Sequence, residues 1–436
     1  MNLKDQIVQK IASSDVKIAV IGLGEIGLRL AVAFAAEGLA VTGLDTYDER
    51  VEAINAGRNY VRDLATDKIE QLVSSGKLKA SSDFSQLANA DAIFICVPTP
   101  LDAFKKPDMS YIEQACSAIA DNMTAGTFIC LESTTYPTTT EDFLLPIFKE
   151  RSQFIHGRDF WLAYSPERVD PGNQQFHTRN TPKVIGALSD EGLEIGMQLY
   201  RKIVDHVHPV SSPRVAEMVK IMENTYRLVN ISLVNELALL CGKMDIDIWE
   251  VIEAAKTKPY GFQPFYPGPG IGGHCIPLDP FYLEHIAKKF DFDLSLIHTA
   301  GHINNMMAHR MTIKITSALN RHRKAINGSK ILFLGVAYKA NINDYRESPA
   351  LKIMEEVAKK GGELCYHDPL IPTISICGDT KTSAVQLTEN LLKTADCVVI
   401  TTNHDAFDPN FILNNSQLIV DLRNAIDEQS DKVYKL

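Results

Sequence analysis

Residues 17–27 read Lys-Ile-Ala-Val-Ile-Gly-Leu-Gly-Glu-Ile-Gly. The apolar, β-branched first half has the pattern of a buried parallel strand. A helical pattern over Leu28–Glu37 follows the glycines, with Gly38 as its stop. A second strand-like run, Ala40–Leu44, ends on Asp45. Glycines spaced G-x-G-x-x-G between a strand and a helix, with an acid closing the next strand about 20 residues on, form the context in which a dinucleotide binds. Gly22, Gly24 and Gly27 let a pyrophosphate approach the helix N-terminus. Asp45 would accept the adenosine ribose hydroxyls and repel a 2′-phosphate, which predicts NAD in preference to NADP.

The alternation of strand and helix continues beyond this unit. Ala92–Val97 ends at Pro98-Thr99-Pro100, and Thr127–Leu131 ends at Glu132-Ser133-Thr134-Thr135-Tyr136-Pro137. Both breaks fall at carboxyl ends of strands, the edge where open α/β sheets take ligands. Hydroxyls there suit a ribose, a nicotinamide or a water, although serine and threonine also favour turns and caps for their own sake. Trp161–Tyr164 is a further strand, closed by Ser165-Pro-Glu167-Arg168-Val-Asp-Pro-Gly172. Ser212-Pro213 has the form of a helix start, and the pattern runs to about Cys241 without glycine or proline, roughly 29 residues or about 44 Å. Its apolar residues (Met218, Ile221, Leu228, Ile231, Leu237, Leu240) fall on most sides. They predict a largely buried helix joining two domains, with surplus apolar surface that suits a subunit interface. Lys220 and Asn224 stand one turn apart on it, and lysine is seldom buried without a partner.

Helical sequence is expected again from about Phe281 to His322. A second strand–turn–helix cycle follows: Lys330–Gly335, a turn over 336–346, and a helix from about Ser348 to Lys360. Strands Glu363–Tyr366, Cys397–Thr401 and Leu418–Leu422 complete a smaller parallel sheet. The expected fold class is α/β, with two Rossmann-like, doubly wound parallel-sheet domains joined by a long central helix. The boundaries read as 1–211, 212–325 and 326–436.

Pro267–Pro280, Pro-Gly-Pro-Gly-Ile-Gly-Gly-His-Cys-Ile-Pro-Leu-Asp-Pro, has four glycines and four prolines in fourteen residues and is neither helix nor central strand. It is a fixed loop that presents Cys275 four residues before Asp279. Two readings stand side by side: a nucleophile with an acid or base nearby, or a rigid turn around an inert buried thiol.

Composition narrows the classes. With 436 residues, 45% hydrophobic and 22% charged, the chain has room for two or three globular cores. A net charge of −10 argues against a nucleic-acid partner, and no apolar run is long enough to cross a membrane. Met1–Asp15 reads as a short amphipathic helix, not a secretion signal. The eight cysteines show neither zinc-type pairing nor a disulfide framework, so reduced thiols in the cytoplasm fit best.

Nucleotide-type domains and one loop cysteine suggest an oxidation in which the thiol captures an intermediate. A hydroxymethyl oxidised to an aldehyde would add Cys275 to give a thiohemiacetal. A second oxidation would then give a thioester that water releases as an acid. A cation such as Lys220 would favour the thiolate and stabilise each oxyanion.

Over nearly its whole length the chain resembles the UDP-glucose/GDP-mannose dehydrogenase family. The resemblance is carried by Gly22–Gly27 with Asp45, Val97–Pro100, Glu132–Pro137, Ser165–Gly172, Gly272-Gly273-His274-Cys275, Gly335–Lys339 and Asp344–Pro349. It implies an NAD-dependent, four-electron oxidation at C6 of a nucleotide sugar by a homodimer or larger homo-oligomer built on the central helix. It implies that Cys275 is the nucleophile and Asp279 its acid/base partner. Lys220 and Asn224 would hold the oxyanion and the water, Glu167 would activate that water, and Thr134 would lie near it. Cofactor contacts are implied at Gly22, Gly24, Glu25, Ile26, Gly27, Asp45 and Arg50, and again at Pro98, Thr99, Ser133, Thr134 and Arg346. Substrate contacts are implied at Glu167, Arg168, Lys220, Asn224, Gly272, Gly273, Tyr338, Lys339 and Arg423.

Enzymes of the family that act on UDP-glucose carry lysine where Leu278 stands, with His274 before the cysteine here. The loop is therefore similar to the N-acetylhexosamine branch, which implies UDP-N-acetylglucosamine as substrate, feeding a surface polysaccharide. UDP-N-acetylgalactosamine, UDP-N-acetylmannosamine and UDP-glucose are the alternatives. A catalytically silent NAD and nucleotide-sugar sensor is the remote one.

Overall fold

The computed structural model describes residues 1–436 apart from 62–63, 103–105, 171, 174, 274–275, 277–278 and 377–379. Two compact units are present: Met1–Glu223 with Phe281–Asp293, and Asn224–Pro280 with Leu294–Leu436.

The first unit is built on eight strands: β1 (Lys17–Ile21), β2 (Ala40–Leu44), β3 (Leu78–Ser81), β4 (Ala92–Ile95), β5 (Thr127–Leu131), β6 (Phe160–Tyr164), β7 (Lys183–Ala187) and β8 (Val207–Val210). Their order is β3-β2-β1-β4-β5-β6-β7-β8, the dinucleotide-fold order with two strands added. β4, β5 and β6 are buried along their whole length, as apolar strands covered by helices on both faces must be. On one face Phe34, Phe94 and Tyr200 pack ring on ring, at 4.9 Å for Phe34–Phe94 and 5.7 Å for Phe94–Tyr200. Ile112, Ile119, Phe148 and Leu162 fill the other face.

The second unit repeats the plan with β9 (Lys330–Leu334), β10 (Glu363–His367), β13 (Cys397–Ile400), β14 (Ile419–Asp421) and β15 (Val433–Lys435), in the order β10-β9-β13-β14-β15. A small antiparallel ribbon of β11 (Thr373–Ile376) and β12 (Thr380–Ser383) is inserted in the chain between β10 and β13. The repetition reaches atomic detail. Gly22 after β1 and Gly335 after β9 both have left-handed φ, +88° and +79°. The residue after each glycine donates its N–H to the carboxylate that closes the neighbouring strand: Leu23 to Asp45 at 2.7 Å, Val336 to Asp368 at 2.8 Å.

The sequence reading is corrected in three places. β7 is antiparallel to β6, pairing Ala163 with Ala187 and Tyr164 with Gly186, so the first sheet is mixed. The helical stretch expected from Phe281 to His322 is broken: a helix Asp279–Ala287 and a short turn precede a helix Ser295–Arg321, with Asp291 in a left-handed conformation at the break. The long helix spans Pro213–Met244 and was expected to be largely buried. Ile221 and Leu228 are buried, but Met218, Leu237 and Leu240 are exposed, because the helix needs only one covered stripe within a single chain.

Candidate active site

At the carboxyl ends of β1 and β2 the sequence leaves a space for a dinucleotide. A Cβ on Gly22 would lie 2.7 Å from the Cys96 carbonyl oxygen, and one on Gly27 only 1.8 Å from the Gly22 carbonyl oxygen. Gly24, by contrast, faces open space at the start of the helix Glu25–Ala36, whose N-cap has no side-chain hydrogen bond. The cradle thus exists because glycine stands at these positions, and the N–H groups of a helix start suit a pyrophosphate. Asp45 is buried beside it. Its Oδ2 accepts from Leu23 N and from Arg50 Nη1 at 3.2 Å, and its Oδ1 from Tyr47 N at 2.9 Å. Arg50 also lies over the Tyr47 ring, and Tyr60 donates its hydroxyl to the Leu23 carbonyl at 2.6 Å. These residues fit NAD: a glycine cradle, a helix N-terminus, and a fixed carboxylate at ribose distance in the sequence pattern.

The turn after β4 leaves Pro98 exposed and Thr99 buried, with the Thr99 carbonyl accepting from the Tyr282 hydroxyl. After β5, Ser133 donates to the Val97 carbonyl at 2.8 Å and ties the two turns together, and Thr134 is half-buried. Glu217, a buried residue of the long helix that the sequence reading passed over, anchors the end of the second turn. It accepts from Thr138 N at 2.7 Å, Thr140 N at 2.9 Å and Thr140 Oγ1 at 2.7 Å. Burial pushes its carboxyl up to about 7, against the pull of those donors.

One turn further along the same helix, Lys220 donates to the Glu167 carbonyl at 2.6 Å. The Glu167 carboxylate turns back on its own loop, Oε1 accepting from Arg168 N at 2.8 Å and Val169 N at 2.7 Å. Arg168 pairs with Glu223 at 2.6 Å and donates to the Pro182 carbonyl at 2.8 Å. The structure therefore brings Glu167, Arg168 and Lys220 together in one unit. Asn224, at the next turn, is buried. Burial works to raise the Glu167 carboxyl, but Lys183, the Val169 N–H and Lys220 outweigh it, and the group sits below the usual glutamate range.

The second unit fixes the glycine loop. Gly268 N donates to Asn235 Oδ1 at 2.9 Å, Ile271 N to Asn304 Oδ1 at 2.7 Å, and Gly273 N to the Arg346 carbonyl at 3.0 Å. A Cβ on Gly272 would meet Tyr338 Cβ at 2.7 Å, and one on Gly268 an Arg423 guanidinium nitrogen at 2.5 Å. The loop, Tyr338 and Arg423 are thus packed together. Arg423 donates to the Thr401 carbonyl at 2.9 Å, and burial pulls its guanidinium down to about 10. Lys339 is half-buried, and Arg346 is exposed and pairs with Asp344 at 2.6 Å. Asp368 and His404, both buried, hold this turn. Asp368 accepts from Val336 N, Ala337 N and His404 Nε2, and His404 Nδ1 accepts from Asn341 N at 3.0 Å. Cys275, His274 and Leu278 lie outside the described residues, as does the side chain of Asp279. Among the described residues no cluster of His, Cys, Asp or Glu is placed to hold a metal, and no helix is long and apolar enough to cross a membrane.

Residues 16–204 match the NAD binding domain of the UDP-glucose/GDP-mannose dehydrogenase family, residues 214–306 its central domain and residues 332–428 its UDP binding domain. The chain belongs to this family. It is 36% identical over 392 residues to the UDP-N-acetyl-D-mannosamine dehydrogenase of Pyrococcus horikoshii, covering 90% of each chain. It is 34% identical over 358 residues to the UDP-N-acetyl-D-glucosamine 6-dehydrogenase of Pseudomonas aeruginosa, covering 82% of this chain and 83% of that one. The solved structure of the Pyrococcus horikoshii UDP-D-ManNAc dehydrogenase superposes with a TM-score of 0.88 at 33% identity, over 96% of this chain and 99% of the other. The protein is accordingly an NAD-dependent nucleotide-sugar dehydrogenase.

Groups that the sequence reading did not single out are Lys183, Tyr200 and Glu217 in the first unit and, separately, Asp368 and His404 in the second. Lys183 opens a β-branched run, Lys-Val-Ile-Gly-Ala, and a lysine heading a buried strand was the available signal.

Proposed function

We propose that the chain oxidises the C6 hydroxymethyl of UDP-N-acetylglucosamine to the carboxylate in two steps, as a UDP-N-acetylglucosamine 6-dehydrogenase. The observation that supports this chemistry most is the Lys220–Glu167 arrangement just beyond the carboxyl end of β6: a cation donating to the Glu167 carbonyl, with the Glu167 carboxyl held below the usual glutamate range. When held by the glycine cradle and Asp45, NAD⁺ would supply the hydride acceptor for each of the two oxidations. Lys220 steadies the oxygen as it gains negative charge, and Asn224 assists one turn away. Cys275 adds to the aldehyde carbon, and the resulting thiohemiacetal is oxidised to a thioester. Glu167 removes a proton from the attacking water, with Thr134 nearby, and the acid leaves as the thiol is restored through Asp279. Gly272, Gly273, Tyr338, Lys339 and Arg423 hold the uridine diphosphate, while Arg168 steadies the Glu167 loop.

UDP-N-acetylmannosamine is the second reading, favoured by the 36% identity to a relative named for that sugar. Steady-state turnover of UDP-N-acetylglucosamine, UDP-N-acetylmannosamine, UDP-N-acetylgalactosamine and UDP-glucose, followed as NADH at 340 nm, separates them. The highest kcat/KM on UDP-N-acetylglucosamine is the expected result. A higher value on UDP-N-acetylmannosamine overturns the first reading for the second, and one on UDP-glucose overturns both.

We further propose a three-domain division at 1–211, 212–325 and 326–436, a cytoplasmic location, and supply of an acidic sugar to a surface polysaccharide. The working unit is a homodimer. Met218, Met222, Tyr226, Leu233, Leu237, Leu240 and Met244 expose apolar side chains at helical spacing along the long helix, and a stripe of that length supports a covered face.

A further inference from the structure

We infer that Lys183 is a positioning residue for Glu167: shared between Glu132 and Glu167, its ammonium keeps the water-activating carboxylate ionised and aimed. The inference rests on the proposed role of Glu167. Its first support is topological. β7 runs antiparallel to β6, so its first residue, Lys183, arrives at the carboxyl ends of β5 and β6, where Glu132 and Glu167 stand. A parallel β7 would have carried the lysine to the opposite edge of the sheet.

The second support is geometry. Lys183 Nζ lies 2.6 Å from Glu132 Oε2 and 3.6 Å from Glu167 Oε2. Glu132 is completely buried and Lys183 nearly so, whereas the Glu167 side chain keeps 18% of its surface exposed. Only the carboxylate farther from the lysine is open toward a ligand. Glu132 is saturated on both sides, because its Oε1 accepts the Tyr200 hydroxyl. It therefore holds the ammonium at a fixed point, from which the cation acts on Oε2 of Glu167. Oε1 of Glu167 is committed to two backbone N–H groups, so Oε2 is the oxygen left to take a proton.

The charges facing Glu167 can be named element by element. Lys183 comes from β7, Glu132 from the end of β5, and Lys220 from the long helix. Cys96 follows β4, its thiol pushed well up by burial and therefore neutral. Arg29, from the helix Glu25–Ala36, lines a small cavity together with Glu167, Arg168 and Lys183, and Arg168 of Glu167's own loop is engaged by Glu223. Lys183 contributes the largest of the pulls that keep Glu167 ionised. Without it, two carboxylates face one another and the largest opposing charge on Glu167 is gone, which favours a proton on one of them.

The test is the pH dependence of kcat together with a melting-temperature cycle. In wild type the acid limb due to Glu167 lies below the usual glutamate range. Lys183→Met is expected to move it upward by ~1–2 pH units, the effect of removing an opposite charge at this distance. Lys183→Arg restores it. In thermal melts at pH 8, Lys183→Met is expected to destabilise more with Glu167 present than in a Glu167→Gln background. If Lys183→Met does not fold, Glu132→Gln/Lys183→Met removes the stranded buried charge and serves in both measurements. Additive melting shifts overturn the pairing. Coupled shifts with an unmoved acid limb overturn the positioning role. A wild type that oxidises none of the four sugars sinks the reading of the site itself while leaving the coupling in melting temperature to be read.

Discussion

Glu217→Gln probes the joint between the long helix and the turn at the end of β5. Glu217 has no solvent exposure, and burial raises its carboxyl from the ordinary 4.5 to about 7. A group whose folded pKa is raised contributes stability that is complete below its unfolded pKa and is lost as pH rises through the folded one. For Glu217 the loss begins near pH 4.5 and levels off above about pH 7, so the window from pH 6 to pH 8 samples its upper part. A midpoint near 7 makes the change across that window about 1 kcal/mol. For a unit of this size that is about 2–4 °C in Tm. Glutamine keeps an acceptor for Thr140 but turns an amide N–H₂ toward Thr138 N, at a cost of about 1–3 kcal/mol at any pH. The diagnostic is therefore the slope and not the offset. Differential scanning fluorimetry at pH 6, 7 and 8 should show the difference between wild type and Glu217→Gln shifting by about 2–4 °C across the range. Parallel curves would refute the claim that burial outweighs the three donors.

Asp45→Ala removes the carboxylate that orders the glycine turn and is proposed to accept the ribose hydroxyls. KM for NAD⁺ should rise ~10–100-fold with a smaller change in kcat, the effect of losing hydrogen bonds to a charged group; an unchanged KM contradicts the cofactor assignment. Met222→Glu places a charge on the exposed apolar stripe, where Met222 is 65% exposed. Sedimentation velocity should show wild-type dimer and variant monomer, and a wild type that sediments as monomer removes the dimer proposal.

The strand–glycine–helix unit was legible because period, glycine spacing and the closing acid agree at three levels over residues 17–45. The second unit was legible for the same reason, and Asp368 is its counterpart of Asp45, though its partner His404 lies far away in sequence and carries no local signal. β7 was missed because five residues headed by lysine are too short to establish a period. With it went the Glu132–Lys183–Glu167 group, which exists only through an antiparallel register between distant segments. The long helix was placed correctly within a few residues, but its burial was not. Apolar content says that a face must be covered and does not say whether the cover belongs to the same chain.

The proposed chemistry is a four-electron oxidation through a covalent intermediate on Cys275. Its most direct measurement is the NADH formed per UDP-sugar at completion, with limiting sugar and excess NAD⁺. Two are expected from the wild type and at most one from Cys275→Ser. One per sugar from the wild type, or two from the serine variant, would contradict it.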